Sequence, residues 1–390
     1  MKKIRMRFLI QFLGMAAILL QGLEAKAVVF EILEPAGDKY IYPFITDPTF
    51  GGDRDYASTF GAYGALDNIP GYDFDDRDAQ FFLDFSTASL VAPGQGASNY
   101  QLTSLEIWVV VANNGSFFFD SSADPLSTYQ NPESDSDLGR PIEIYGVGYR
   151  GGFTQATFNQ DSPFGPAGSI YKNVRNAYAI DFGGDGNPRD VSNNVEEGFT
   201  PNPWAIADAP GSIDVDGNYI ASPLPAGSTV PEGTVFRFQL NLTDPKVRTY
   251  VQEGLHAGRI HLMVSSLYNA TQQSSDIPKF YTKESGYHSP SAGIYLAPRL
   301  YAEVTLASAG PPPIPKVSVS RLNPSGFRVS FETQTGYRYV VESRDSLASG
   351  SWTAKSSTFT GNGATQLFDD TEANPPARRF YRVAVTANTP

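Results

Sequence analysis

Several stretches of the chain alternate apolar and polar side chains with period two, the mark of half-buried β-strands. Gln80 to Phe85 reads QFFLDF, and Leu102 to Ala112 reads LTSLEIWVVVA around Trp108. Ile142 to Tyr149 (IEIYGVGY), Val235 to Leu242 (VFRFQLNL), Ile260 to Ser265 (IHLMVS) and Leu300 to Leu306 (LYAEVTL) continue the series. In the fourth of these, Val235, Phe236 and Phe238 are set against Arg237, Gln239 and Asn241. One short helix interrupts the pattern. Asp244 is placed to cap it and Pro245 suits its first position. Val247, Tyr250 and Val251 then share one face, and Gly254 is the expected terminator. Trp108 and Trp352, both inside strand patterns, are expected in cores.

Polar segments rich in Gly, Pro and Asn separate these elements, the longest at 113–140 and 151–234. Loops of that length usually carry function or are ordered by a ligand. At 309–315 the sequence AGPPPIP reads as a semi-rigid spacer. Beyond it, 316–390 shows six short strand patterns, at 317–321, 326–332, 337–343, 351–356, 364–368 and 379–385. The fold class that follows is all-β: a jelly-roll-like β-sandwich over 28–308 with long loops and one short helix, then a small β-sandwich of immunoglobulin or fibronectin-III type.

Residues 1–27 read as a signal peptide. A basic start (Lys2, Lys3, Arg5, Arg7) leads into an apolar run from Phe8 to Leu20, and Ala25-Lys26-Ala27 offers a cleavage site. The expectation is a secreted or cell-surface protein, with the periplasm as the alternative and no membrane span after cleavage. The absence of cysteine excludes disulfides and thiolate chemistry. Losing the leader removes five basic residues and one acid, which moves the net charge from −12 to −16. The last 75 residues hold nine basic and six acidic residues, so 28–315 carries −19. Such a surface repels nucleic acid and is compatible with neutral glycans or divalent cations.

Four motifs bear a resemblance to DNRLRE-type (disaggregatase-related) jelly-roll modules. These are Phe82-Leu83-Asp84-Phe85, Leu102-Thr103-Ser104-Leu105, Phe238 to Thr243 with the helix after it, and Phe280-Tyr281-Thr282-Lys283-Glu284 followed by Pro298-Arg299-Leu300. Gln239 stands where the third motif usually has Asp, and the 151–234 segment is longer than in such modules. The resemblance implies a jelly roll and, more distantly, glycan binding. The tail is similar to a fibronectin-III-like sandwich appended to secreted proteins of planctomycete and verrucomicrobial type, through Tyr337, Tyr339, Glu342, Ser343, Leu347, Trp352 and Arg379 to Arg382. That likeness implies a spacer or attachment module.

Chemistry-bearing candidates are few. Asp73, Asp75, Asp76 and Asp78 cluster within six residues, and Asp181, Asp185, Asn187 and Asp190 loosely resemble a calcium loop, although Gly183 and Ser192 break the EF-hand pattern. Ca²⁺ is therefore the candidate cofactor, set against solvated acidic loops. Asp214, Asp216 and Asn218 read instead as a hairpin turn. The three histidines, His256, His261 and His288, form no metal motif, and no nucleophile elbow or P-loop occurs. Trp204, in a Pro-rich loop, is the leading candidate for stacking on sugar rings, with Tyr63, Tyr72 and Tyr219 behind it. Its alternative is a plug that fixes the loop to the core. The expected function is non-catalytic binding of an extracellular glycan or cell-surface component. A structural or adhesive envelope protein is the alternative, and a polysaccharide-acting enzyme is less favoured.

Overall fold

The computed structural model describes residues 27–42, 52–61, 77–127, 136–165, 175–182, 186–194, 198–268, 277–307, 314–322, 325–347, 350–372 and 378–387. The first strands are β1 (Ala27–Ile32), β2 (Gly37–Ile41), β3 (Tyr56–Ser58), β4 (Gln80–Ser86), β5 (Tyr100–Val110), β6 (Phe119–Asp120), β7 (Arg140–Tyr149) and β8 (Ala177–Phe182). Then come β9 (Pro188–Asp190), β10 (Ala205–Ile206), β11 (Asp208–Ile213), β12 (Tyr219–Ile220), β13 (Thr234–Gln239), the helix α1 (Pro245–Ala257), β14 (Arg259–Ser266), β15 (Lys279–Tyr281) and β16 (Arg299–Leu306). All six strand patterns read in this region form strands. The 151–234 segment, expected to be loop, instead contributes five strands, β8 to β12. All are two to six residues long and lie among Gly and Pro, which keeps period-two patterning from standing out.

Two sheets face each other. The first has the order β1-β16-β5-β13-β11-β12, and the second runs β2-β4-β14-β7-β8-β9, with β6 and β10 paired to β7. Successive long strands alternate between the sheets, which is the jelly-roll arrangement and leaves few free edges. Between them lies one aromatic-rich core in which Phe81, Phe236 and Phe280 pack ring against ring. Ala27 opens β1 opposite Thr305 on β16; residues 1–26, where the leader expectation falls, lie outside the described residues. Among the described residues no helix is long and apolar enough to cross a membrane.

Helix α1 starts as its sequence dictates, with Asp244 accepting from the Lys246 amide at 2.8 Å and Pro245 in the first turn. Its end is one turn later than expected. Gly258, at φ 81°, is the left-handed terminator, and Gly254 is a buried helical position packed against the Arg259 carbonyl.

After the proline-rich segment, β17 (Val317–Arg321), β18 (Phe327–Glu332), β19 (Tyr337–Arg344), β20 (Thr353–Ala354), β21 (Phe359–Thr360), β22 (Thr365–Asp370) and β23 (Phe380–Ala387) form two antiparallel sheets. They close on a separate core of Val329, Phe331, Tyr339 and Val341. Trp352 is not a member of it. Its ring is half-buried, clamped by Arg344 at 4.6 Å and Arg382 at 4.7 Å.

Candidate functional site

The strand register of the first sheet assembles its outward face. Leu105, Ile107 and Val109 of β5 point into the sandwich, so Glu106 and Trp108 point out. Trp108 lies opposite Arg237 on β13 and Arg299 on β16, and Arg237 lies opposite Asp208 on β11. The next row on the same face runs Gln239, Glu106, Tyr301, Glu31. A hairpin from β11 to β12 lays Tyr219 beside the first row. Ring centroids are 5.3 Å apart for Trp108 and Tyr219 and 4.9 Å for Trp108 and Tyr301, both tilted. Gly211 makes this approach feasible: a Cβ there would sit 2.7 Å from the Tyr219 hydroxyl and 2.3 Å from the Ile220 carbonyl. The hairpin turn itself is held by Asp214, whose carboxylate accepts from the Asp216 and Asn218 amides at 3.0 and 2.8 Å, as its spacing predicted.

Polar groups rim the three rings. Gln239 Nε2 donates to Glu106 Oε1 at 2.9 Å, and Trp108 Nε1 reaches Glu106 Oε2 at 3.4 Å. Arg237 grips Asp208 with Nε at 3.0 Å from Oδ1 and with Nη2 on Oδ2, which raises the Arg237 pKa further. Burial, reinforced by Glu31, pushes the Tyr301 phenol up to about 12, so it stays a neutral hydrogen-bond donor. One flank of the patch is closed by a satellite core of Val110, Ile213, Val235, Tyr281 and Leu296. Trp108 packs on that core and is half-buried, while Tyr219 is 41% exposed. Aromatic faces framed by fixed donors and acceptors match molecules with alternating apolar and hydroxylated surface.

Of the sequence candidates, Tyr219 belongs to this cluster, and the other described ones fall elsewhere. Trp204, weighed as a stacking platform against a plug that fixes its loop to the core, is 1% exposed and is the plug. It stacks on Phe182 at 6.0 Å, meets Tyr250 edge-on at 4.8 Å, and covers Gly146, where a Cβ would lie 2.0 Å from its ring. It plugs the sandwich, because an indole held against a missing side chain on β7 gains more from burial than a loop gains from displaying it. Trp108 corrects the reading in the opposite direction, since it faces outward. The Glu-x-Trp alternation against Leu105, Ile107 and Val109 is the signal that would have shown this.

Of the expected calcium loop, the described carboxylates Asp181 and Asp190 do not converge. Asp181 lies opposite Arg189 and Asp190 opposite Ile180, so the two carboxylates leave opposite faces of the β8–β9 ribbon. Asp181 accepts from the Phe182 and Asn202 amides at 2.7 and 2.9 Å, and burial raises its pKa. Asp190 caps a short helical turn through Ser192 and pairs with Arg150 at 2.8 Å. Asn187 is exposed between them, and Asp185 lies outside the described residues. Tyr63, Tyr72, Asp73, Asp75 and Asp76 also lie outside them. Asp78, which ended that acidic run, is buried with the nearest Arg175 nitrogen at 3.7 Å. Among the described residues no three His, Asp or Glu side chains gather to hold a metal.

The histidines sit at three separate places. His256 Nδ1 accepts from the Gly96 amide at 3.1 Å, and His288 Nδ1 accepts from Leu296 and Ala297 at 3.0 and 3.2 Å. His261 is fully buried between Asp84, 3.1 Å from Nε2, and the Tyr149 hydroxyl. Comparison with family models, curated proteins and solved structures finds no match to this chain.

Proposed function

We propose that this is an exported, non-catalytic carbohydrate-binding protein that docks an extracellular polysaccharide on the outer face of its first sheet. The observation that carries the reading is the Trp108–Tyr219–Tyr301 cluster rimmed by Glu106, Gln239 and Arg237. Sugar rings present apolar C–H faces and equatorial hydroxyls, and such a surface offers partners for both. The motifs that resemble those of DNRLRE-type modules and the strongly acidic 28–315 region support a neutral glycan. The tail beyond the proline-rich segment then acts as a spacer or attachment module.

The test is affinity electrophoresis of residues 28–390 against a panel of polysaccharides. Retardation by at least one of them is expected, and W108A is expected to weaken it roughly 30-fold, the effect of removing a central aromatic anchor worth about 2 kcal/mol. Binding that survives W108A and Y301A unchanged places the ligand elsewhere, and no binding to any polysaccharide rejects the reading.

A structural or adhesive role is the second reading. It is favoured by β17, an edge strand exposed along its whole length with Val317 and Val319 uncovered. An exposed apolar edge is a template for pairing. Envelope fractionation separates the two readings: association that free sugars do not release favours adhesion through the tail.

A further inference from the structure

The outer face of the first sheet continues past Trp108. Val110 and Val235 follow Trp108 and Arg237 by two residues on β5 and β13 and share their side, about 7 Å further along each strand. There they are covered by the satellite core, against which both Trp108 and Tyr56 pack. Tyr281 belongs to that core and lies opposite Tyr56 on the β3–β15 ribbon. Ring centroids are 5.6 Å apart for Tyr56 and Tyr281 and 6.1 Å for Tyr281 and Tyr287. Tyr281 is buried, and its hydroxyl donates to the carboxylate of the exposed Glu232. Tyr287 is 65% exposed, the most of any Phe, Tyr or Trp among the described residues.

The loop that carries Tyr287 is braced. Ser289 and Ile294 exchange backbone hydrogen bonds at 2.8 and 3.0 Å, and the Tyr287 amide donates to Ser285 Oγ at 3.3 Å. Its tip abuts the hairpin that carries Tyr219: a Cβ at Gly217 would sit 2.8 Å from the Gly293 carbonyl and 3.0 Å from the Ile294 Cα. Single exposed apolar residues are ordinary, whereas neighbouring exposed rings rimmed by polar groups mark an interaction surface.

We propose that Tyr287, backed by Tyr281 and Tyr56, is a second stacking platform beside the Trp108 cluster, and that the protein binds internal stretches of a long, linear, neutral polysaccharide and not single sugars. The inference rests on the carbohydrate reading and extends its site. Each platform offers a ring face with a polar neighbour, Glu106 at the first and Glu232 at the second, to accept from sugar hydroxyls. A chain long enough to span both gains the second contact intramolecularly, so affinity rises with length until both rings are covered.

Calorimetry on residues 28–390 with xylan, galactomannan and mixed-linkage β-glucan, and with the di- to hexasaccharides cut from each, tests the second platform. For the polymer that is bound, wild-type affinity is expected to rise about tenfold or more from disaccharide to hexasaccharide. Y287A is expected to remove that rise, lowering hexasaccharide affinity about tenfold and leaving the disaccharide unchanged. Y287F keeps the ring and is expected to keep the rise, while W108A lowers affinity at every length. Because Tyr287 is exposed, Y287A is expected to retain the wild-type urea midpoint, which separates lost stacking from a lost fold. A hexasaccharide bound no more tightly than a disaccharide, or a length dependence that survives Y287A, overturns the second platform and leaves the Trp108 reading standing. Failure to bind any of the three polymers overturns the inference, and failure across the whole panel rejects the carbohydrate reading as well.

Discussion

The two sheets of the large sandwich treat their outer faces in opposite ways. The second sheet is buried on both sides: β4 is buried at every position but its last, and β14 at every position but its first. Residues between β7 and β10 lie over it, with Phe158 edge-on to Phe82 at 5.0 Å and Arg77 held between Glu143 at 2.8 Å and the Val191 carbonyl at 3.0 Å. Its polar side chains, Lys39, Asp84, Glu143 and His261, are thereby enclosed in hydrogen-bonded networks. The first sheet keeps its outer face partly open, and there the same alternation of polar and aromatic residues stays within reach of a ligand. Cover, and not composition, separates an enclosed polar network from an open aromatic face.

Removing a member of the enclosed face should do the most damage. Arg77→Met removes the guanidinium paired with the buried Glu143 carboxylate, and Trp204→Ala empties the space over Gly146. Each is expected to cost about 3–5 kcal/mol in urea unfolding. A loss near 1 kcal/mol for either would mean that the second sheet is looser than its burial implies.

His261 gives a pH-dependent version of the same contrast. Burial holds its imidazole below the ordinary value, although Asp84 partly offsets this. The neutral ring is therefore favoured by folding. That stability is complete above about pH 6.5 and is lost as pH falls toward the folded pKa, with a slope of at most about 1.4 kcal/mol per pH unit. Unfolding free energies measured across this range should show a steeper fall in the wild type than in H261N, and parallel curves would refute the assignment.

On the open face the ordering reverses. Trp108→Ala should lower stability by only ~1 kcal/mol, since one flank is solvated, while reducing glycan retention far more than Trp204→Ala does in the fraction that remains folded. Smallest of all is the expected effect of Tyr219→Phe, which keeps the ring and should leave both the urea midpoint and retention within error. A large loss there would assign the hydroxyl a direct role in the contact.

How much of this was legible beforehand depended on scale. The long strands announce themselves because period-two patterning over six or more residues leaves few other readings; Val235 to Leu242 is an example. The short strands β8 to β12 are missed because two to six residues in a Gly- and Pro-rich context carry too little pattern. The tryptophans divide for a related reason. A strand pattern by itself suggests a core position for Trp108, but its parity with Glu106 decides its face. The Pro-rich loop leaves Trp204 open to either display or burial, and the space over Gly146 decides for burial.

The sequence alone determined the all-β class, the alternation that sets inside from outside on each long strand, and the start of α1, because these depend on side chains only a few positions apart. Which outer face stays open, which aromatics meet, and how the loop after β15 comes to rest against the Tyr219 hairpin were decided by tertiary structure. Those outcomes depend on strand register and on cover supplied by segments a hundred or more residues away, and no local pattern encodes where a distant segment will settle.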